Sequence, residues 1–227
     1  MQGTEVRASP KLAAAFRGLS SAGLDSLAGK ASRREFGRGA FLFHAGDSAS
    51  QIFVVEFGSV KICSASQDGS ESVVAILGSS EIAGELHALV HSGDARALER
   101  SAALSIPTDQ VRACLEATGD TRLMVELLAE QLRRTTATLH GVIGGDSRQR
   151  IAVRLCDLAD RQGRRTSNGA TRLAIRLTQE DLGRMTGSSR ETANKVLALF
   201  ARRGWIETQN GRYAITNESA LRELAGI

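Results

Sequence analysis

The sequence predicts an α+β chain: an N-terminal antiparallel β-roll, a long helix, and a C-terminal winged helix-turn-helix. Three observations carry this. Residues 177–206 read as two short helices joined at Gly187 and followed by a hairpin signal at Asn210-Gly211. Residues 32–106 are short apolar runs separated by glycine-containing turns. Between the two, apolar side chains recur at alternating spacings of three and four from Val125 to Val142.

The C-terminal stretch is the most informative. Thr178 with Asp181 forms an N-cap with an acidic group in the first turn, which complements the free N–H groups there. Ser188 or Ser189 caps a second helix whose buried stripe is Ala193, Val196, Leu197 and Phe200. Its other face carries Arg190, Glu191, Asn194 and Lys195 near the helix start. A single charged helical face is usually only solvated surface. Here it stands in a helix-turn-helix followed at once by a wing, with strands expected at Trp205–Thr208 and Arg212–Thr216. That combination implies DNA binding, with Arg190 and Glu191 able to read guanine and cytosine edges.

Upstream, strands are expected at Ala40–Phe43, Gln51–Val55, Ser59–Cys63 and Ser72–Leu77, with Ser101–Ile106 closing a small sandwich or barrel. A short helical patch is expected from Leu86 to about Val90, followed by a polar segment from Ser92 to Glu99. Gly84, a helix N-terminus, Arg100 and Ser101 together have the makings of a phosphate cradle. On those residues alone, surface positions for Arg100 and Ser101 remain the alternative.

The seam of Val125, Leu128, Leu132, Thr135, Leu139 and Val142 predicts a helix that pairs with a second copy. Gly144-Gly145 ends it, and Asp146 caps the next helix, over 147–162, so the glycine pair is the expected hinge. The expected domains are 1–118, 119–145 (long helix and hinge) and 146–227. A polar loop at 163–170, a strand at 173–177 and a last helix at 217–225 complete the reading.

Of the 227 residues, 42% are hydrophobic and 24% charged, with a net charge of +4, which suits a polyanionic partner. No apolar run reaches membrane-spanning length, and the first residues lack a signal-peptide core. Cys63, Cys114 and Cys156 have neither disulfide nor metal spacing, so a reducing cytoplasm is expected, with no metal and no membrane. Paired carboxylates and nucleophile–base sets are absent from any common stretch, which argues against an enzyme.

Gly84-Glu85-Leu86, Arg100-Ser101-Ala102, the long helix with Asp146 after it, and Ser189-Arg190-Glu191-Thr192 resemble the CRP/FNR superfamily of regulators, most nearly its cyclic-AMP receptor branch. The resemblance implies a cyclic-nucleotide-binding jelly roll in a homodimer, with cAMP or cGMP as allosteric effector and double-stranded DNA and RNA polymerase as partners. Glu85 would bond the ribose, Arg100 and Ser101 the cyclic phosphate, Thr135 and Thr136 the purine from the two subunits. Gly84 and Leu86 would belong to the cyclic-nucleotide site beside Glu85, and Ile62, Val74, Ala75 and Leu77 would line the pocket. Arg190, Glu191 and Lys195 match base-reading positions, while Thr178, Ser189 and Thr192 match phosphate-positioning ones.

The sequence departs from the branch in three places: a long segment between Glu85 and Arg100, Lys195 in place of an arginine, and Thr136 in place of a serine. No cysteine precedes Cys63, so the iron–sulfur branch is set aside. His91-Ser92-Gly93 looks like the haem segment of a gas-sensing branch, with Leu89 where that branch has a cysteine. A different effector, haem, or constitutive action therefore stands as the alternative to a cyclic nucleotide.

Overall fold

The computed structural model describes residues 9–65, 71–118, 145–209 and 211–227, with the helical positions 125, 126, 128, 129, 132, 133 and 136 between them. Its contacts fall into two compact units, residues 1–64 with 76–132 and residues 65–75 with 133–227.

The first unit opens with helices α1 (Pro10–Ala15) and α2 (Ser21–Lys30), each started by a serine side chain. Ser9 and Ser20 accept the N–H of Leu12 and Gly23, both at 3.2 Å. Eight strands follow: β1 (Ser32–Phe36), β2 (Phe41–Phe43), β3 (Gln51–Phe57), β4 (Val60–Ala65), β5 (Glu71–Leu77), β6 (Ile82–Ala83), β7 (Asp94–Ala97) and β8 (Ser101–Pro107). They form two four-stranded sheets in the orders β1-β8-β3-β6 and β2-β7-β4-β5. Strand alternation divides β3 between two cores. Ile52 and Val54, with Leu104 and Ile106, pack on Leu12, Phe16 and Leu27 and on Val111 and Leu115 of helix α3 (Thr108–Thr118). Phe53 points to the other face, where its ring meets Phe36 at 6.1 Å and Phe43 at 5.9 Å. Each fully buried Leu, Ile or Phe contributes about 1.5–3 kcal/mol.

Three expectations change here. Residues 86–89 form an irregular, bent segment, not a helix. The segment 92–99 contains β7, in which Ala95 and Ala97 are buried and Arg96 is exposed. Strand β8 closes no edge. It lies between β1 and β3, pairing Ala103 with Arg34 on one side and Val55 on the other.

In the second unit the Asp146 side chain accepts the N–H of Arg148 and Gln149, both at 2.9 Å, and starts α4 (Ser147–Gln162). Ile151, Leu155 and Leu158 form its buried stripe. Strands β9 (Gly163–Arg165) and β10 (Thr171–Leu173) come next, where the sequence predicts a loop and a later strand. Helices α5 (Gln179–Met185) and α6 (Arg190–Arg202) lead into the hairpin β11 (Ile206–Gln209) and β12 (Arg212–Ile215), and α7 (Glu218–Ala225) ends the chain. The strands assemble in the order β11-β12-β10-β9. Arg222 of α7 bonds Asp160 of α4 as well as its own-helix neighbour Glu218.

Cys63 and Cys156 are both buried, and burial pushes the Cys156 thiol up to about 11. They pack as small apolar groups. No described helix is long and apolar enough to cross a membrane, and no group of three metal-ligating side chains is found among the described residues.

Gly183 in α5 faces the helix-turn-helix turn so closely that a Cβ there would stand 2.8 Å from the Ser188 carbonyl oxygen and 3.2 Å from that of Ser189. Alanine improves helix propensity by about 1 kcal/mol, but forcing the turn's backbone apart costs about 1–3 kcal/mol. Gly183→Ala should therefore lower the urea midpoint of the intact protein. An unchanged or raised midpoint would show that the turn yields freely.

Candidate functional site

One end of the second unit is built from two helix starts, those of α5 and α6. Thr178 caps α5, accepting the Asp181 N–H at 3.0 Å and donating to the Asp181 carboxylate at 2.5 Å. Ser189 caps α6, accepting the Thr192 N–H at 3.1 Å, with its hydroxyl 3.0 Å from that of Thr192. Between them Gly187 turns the chain with φ +58°, a left-handed conformation that favours glycine. Ala193, Val196, Leu197 and Phe200 are buried, which leaves Arg190, Glu191, Asn194 and Lys195 exposed on the opposite face of α6. Among the described residues, Arg190, Glu191 and Lys195 form no ion pair with the rest of the chain. Asn194 is held by Gln179, whose amide donates to it at 3.1 Å, so α5 and α6 are stitched together beside the exposed face.

Sequence reasoning did not single out Arg150. Its guanidinium donates to the Gly145 carbonyl at 2.8 Å, to the Thr186 carbonyl at 2.8 Å and to Ser188 Oγ at 3.3 Å. One α4 side chain thus joins the segment before α4 to the turn before α6. An arginine one residue before a buried helical stripe gives no sequence signal for this, because its partners lie 36 or more residues away or just before the helix's own start.

In the β-roll the expected phosphate residues are not brought to Glu85. Arg100 is 75% exposed at its side chain and donates to Glu35 of β1 at 2.9 Å. Ser101 is 1% exposed, and its hydroxyl accepts the Ser59 N–H at 3.2 Å and donates to the Glu99 carbonyl at 2.9 Å. A Cβ on Gly58 would stand only 2.2 Å from that hydroxyl, so the serine packs under the β3–β4 turn. The reason is topological. Glu85 follows β6 on one edge of the sheet, while Arg100 reaches β1 on the other, with β3 and β8 between. Strands lie about 4.8 Å apart, so the two edges stand roughly 14 Å from each other.

Glu85 instead meets His91 and Ser92. Gly84, at φ +113°, sets the carboxylate's direction, and a Cβ there would stand 3.3 Å from the His91 ring. His91 Nδ1 lies 2.7 Å from Glu85 Oε2, and Ser92 donates to Oε1 from its N–H at 3.2 Å and its hydroxyl at 2.5 Å. Burial alone would raise the Glu85 pKa. The Ser92 and His91 bonds outweigh it and hold the carboxyl below its usual range. The alternation of Asp94-Ala95-Arg96-Ala97 is the signal that would have found β7, and with it a cassette ending at Gly93 rather than at Arg100.

Of the other expected pocket residues, Ile62 lies on β4 and Val74, Ala75 and Leu77 on its neighbour β5. Leu86 packs toward the helix-side core, and Leu77 is buried in β5. Ile62 stands beside the cassette's end, its Cγ2 3.6 Å from where a Gly93 Cβ would be. Val74 and Ala75 are half-buried in β5. Thr136 is helical and exposed, and Thr135 lies outside the described residues.

A family model described as a cyclic nucleotide-binding domain matches residues 33–118, and a Crp-like helix-turn-helix domain matches residues 149–224. The chain is 31% identical over 210 residues to a CRP-like cAMP-activated global transcriptional regulator of Mycobacterium tuberculosis, covering 91% of this chain and 93% of that one. It is 24% identical over 202 residues to the fumarate and nitrate reduction regulatory protein of Yersinia pestis, covering 83% and 76% of the two chains. A solved CRP-family transcriptional regulator from Thermus thermophilus matches with a TM-score of 0.68 at 26% identity, covering 86% of this chain and 97% of that one. With both domains matched in order and a relative 31% identical across 91% of this chain, the chain belongs to the CRP/FNR family of transcription regulators and is not an enzyme.

Proposed function

We propose that the protein is a homodimeric transcription regulator that reads a palindromic DNA site through α6. The observation that carries this reading is the exposed set of Arg190, Glu191 and Lys195 at the capped start of α6, which form no ion pair among the described residues. Arg190 and Lys195 donate to base edges and Glu191 accepts from cytosine. Thr178, Ser189 and Thr192, at the two helix starts, position the phosphates, where N–H groups and helix dipoles favour negative charge. Val125, Leu128 and Leu132 support pairing: they are helical, spaced by three and four, and 58%, 51% and 67% exposed in the single chain. A palindromic site would present its two half-sites to the two α6 helices of such a dimer on successive major grooves, about 34 Å apart. RNA polymerase is the partner that a regulator of this family would engage from the bound site.

The effector has two readings. The matched cyclic nucleotide-binding domain and the cAMP-activated relative support cAMP, with cGMP as the near analogue. The cassette geometry favours a regulator with another effector or none, because Arg100 and Ser101 are committed elsewhere. On that second reading the dimer shifts a palindromic duplex in mobility assays without added nucleotide. A strict requirement for cAMP would return the first reading.

Arg190→Ala should reduce discrimination between the specific site and random DNA by about 1–3 kcal/mol in competition assays, since a bidentate base contact carries that much. Equal losses on both DNAs would remove Arg190 from base reading. Leu132→Glu should convert the dimer to monomer in sedimentation and sharply weaken operator binding. A variant that stays dimeric would move the interface away from this helix.

A further inference from the structure

The loop from Gly84 to Gly93 is packed and hydrogen-bonded at its end, where His91 and Gly93 lie. The His91 ring is 3% exposed and lies flat on Phe43, with centroids 3.6 Å apart and planes 14° from parallel. Its backbone is tied at both ends, its N–H to the Asp47 carbonyl and its carbonyl to the Gly46 N–H, each at 2.9 Å. A Cβ on Gly93 would stand 2.4 Å from the Cys63 carbonyl oxygen, so the loop's end is pressed on β4. His91 has no room to turn its ring away from Glu85.

Three donors converge on one carboxylate: an imidazole nitrogen, a backbone N–H and a hydroxyl. Such a set is what an effector's phosphate would need. Among the described residues no arginine or lysine bonds Glu85, His91 or Ser92. The nearest expected cation, Arg100, is spent on Glu35 at the far edge of the sheet. A cyclic phosphate brought to these donors would meet a like charge already in place, and no described arginine or lysine is bonded to the set to offset it. The residues present do not fit a cyclic mononucleotide.

We propose that Glu85 is the resident anion of this cassette, so that the wild-type protein takes up no cyclic mononucleotide and removal of the carboxylate leaves a site for a small carboxylate. The proposal rests on the reading of the chain as a regulator with another effector or none. Glu85→Ala would leave the His91 and Ser92 donors facing an empty space of one acetate group. Free acetate supplies the same two oxygens to the same donors.

The test uses the full-length protein at neutral pH. Calorimetric titration of the wild type with cAMP and, separately, cGMP should give no saturable heat at millimolar nucleotide, and micromolar binding of either overturns the proposal. Thermal melting is then compared in sodium chloride and in sodium acetate at equal ionic strength. Glu85→Ala should melt several degrees below wild type in chloride and regain at least half of that loss in acetate. Wild type and Glu85→Gln, in which the space stays filled, should respond to neither salt. A loss that acetate does not reverse, or an equal gain in all three proteins, overturns the resident anion. If Glu85→Ala does not fold in either salt, Glu85→Gln and the wild-type titration still decide: nucleotide binding by the wild type, or an acetate gain in Glu85→Gln, overturns it. The palindrome mobility shift keeps the two readings apart. A protein that binds cAMP and needs it for DNA loses the resident anion but stays a regulator, whereas one that binds no DNA loses the regulator reading and leaves the acetate result standing.

Discussion

Strand β8 runs between β1 and β3, and that pairing decides what the residues around it can reach. Its first residue, Ser101, opposes Phe36 and sits beneath the β3–β4 turn. Arg100, one residue earlier, is thereby delivered to Glu35 of β1. The same pairing puts Ala102–Ile106 in the centre of the sheet, where Leu104 and Ile106 face the helices. Strand β7 must then supply the second sheet, and only the residues before it are left to follow β6. The cassette ends where β7 begins, and its chemistry is set by His91 and Ser92.

The second unit is organised by caps and by one guanidinium. Asp146, Thr178, Ser189 and Asn217 each supply a side-chain oxygen to a helix start, so four helices begin where short polar residues stand before an apolar stripe. Arg150 adds the tertiary link. Its three bonds fix the turn against α4, so α6 is oriented from the beginning of the unit as well as from its own buried stripe. The exposed face of α6 is what remains once those constraints are met.

The second unit was largely legible from sequence because its signals are local. Caps, a glycine turn, a 3.6-residue stripe and an Asn-Gly hairpin each act within a few residues, and α4 to α7 start at the caps they imply. Even there, β9 was hidden, since Gly163-Arg164-Arg165 offers no apolar alternation. The β-roll was legible in kind but not in register. Runs such as Ile52–Val55 announce a strand, whereas a four-residue strand with alanines on its buried face, Asp94–Ala97, resembles a polar loop. Missing β7 carried the cassette forward onto Arg100-Ser101, a pair whose local pattern matched and whose partners lie across the sheet. Arg150 and the Glu85–His91 contact depend on backbone positions set by tertiary packing, which no short window contains.

A carboxylate bonded to its own loop differs from a bound solute in one quantitative respect. Its supply is fixed by the chain that carries it and does not follow the composition of the surroundings. Tethering through a short segment gives an effective concentration on the order of millimolar or above. Here only the residues between Glu85 and Ser92 separate acceptor from donors, and the ring of His91 is already immobilised on Phe43. A free anion present at micromolar levels is outcompeted by arithmetic alone, before any difference in contact quality is considered. If Glu85 is the resident anion proposed above, the set point of the β-roll is written into the sequence, and occupancy of DNA sites would track the abundance of the protein through mass action.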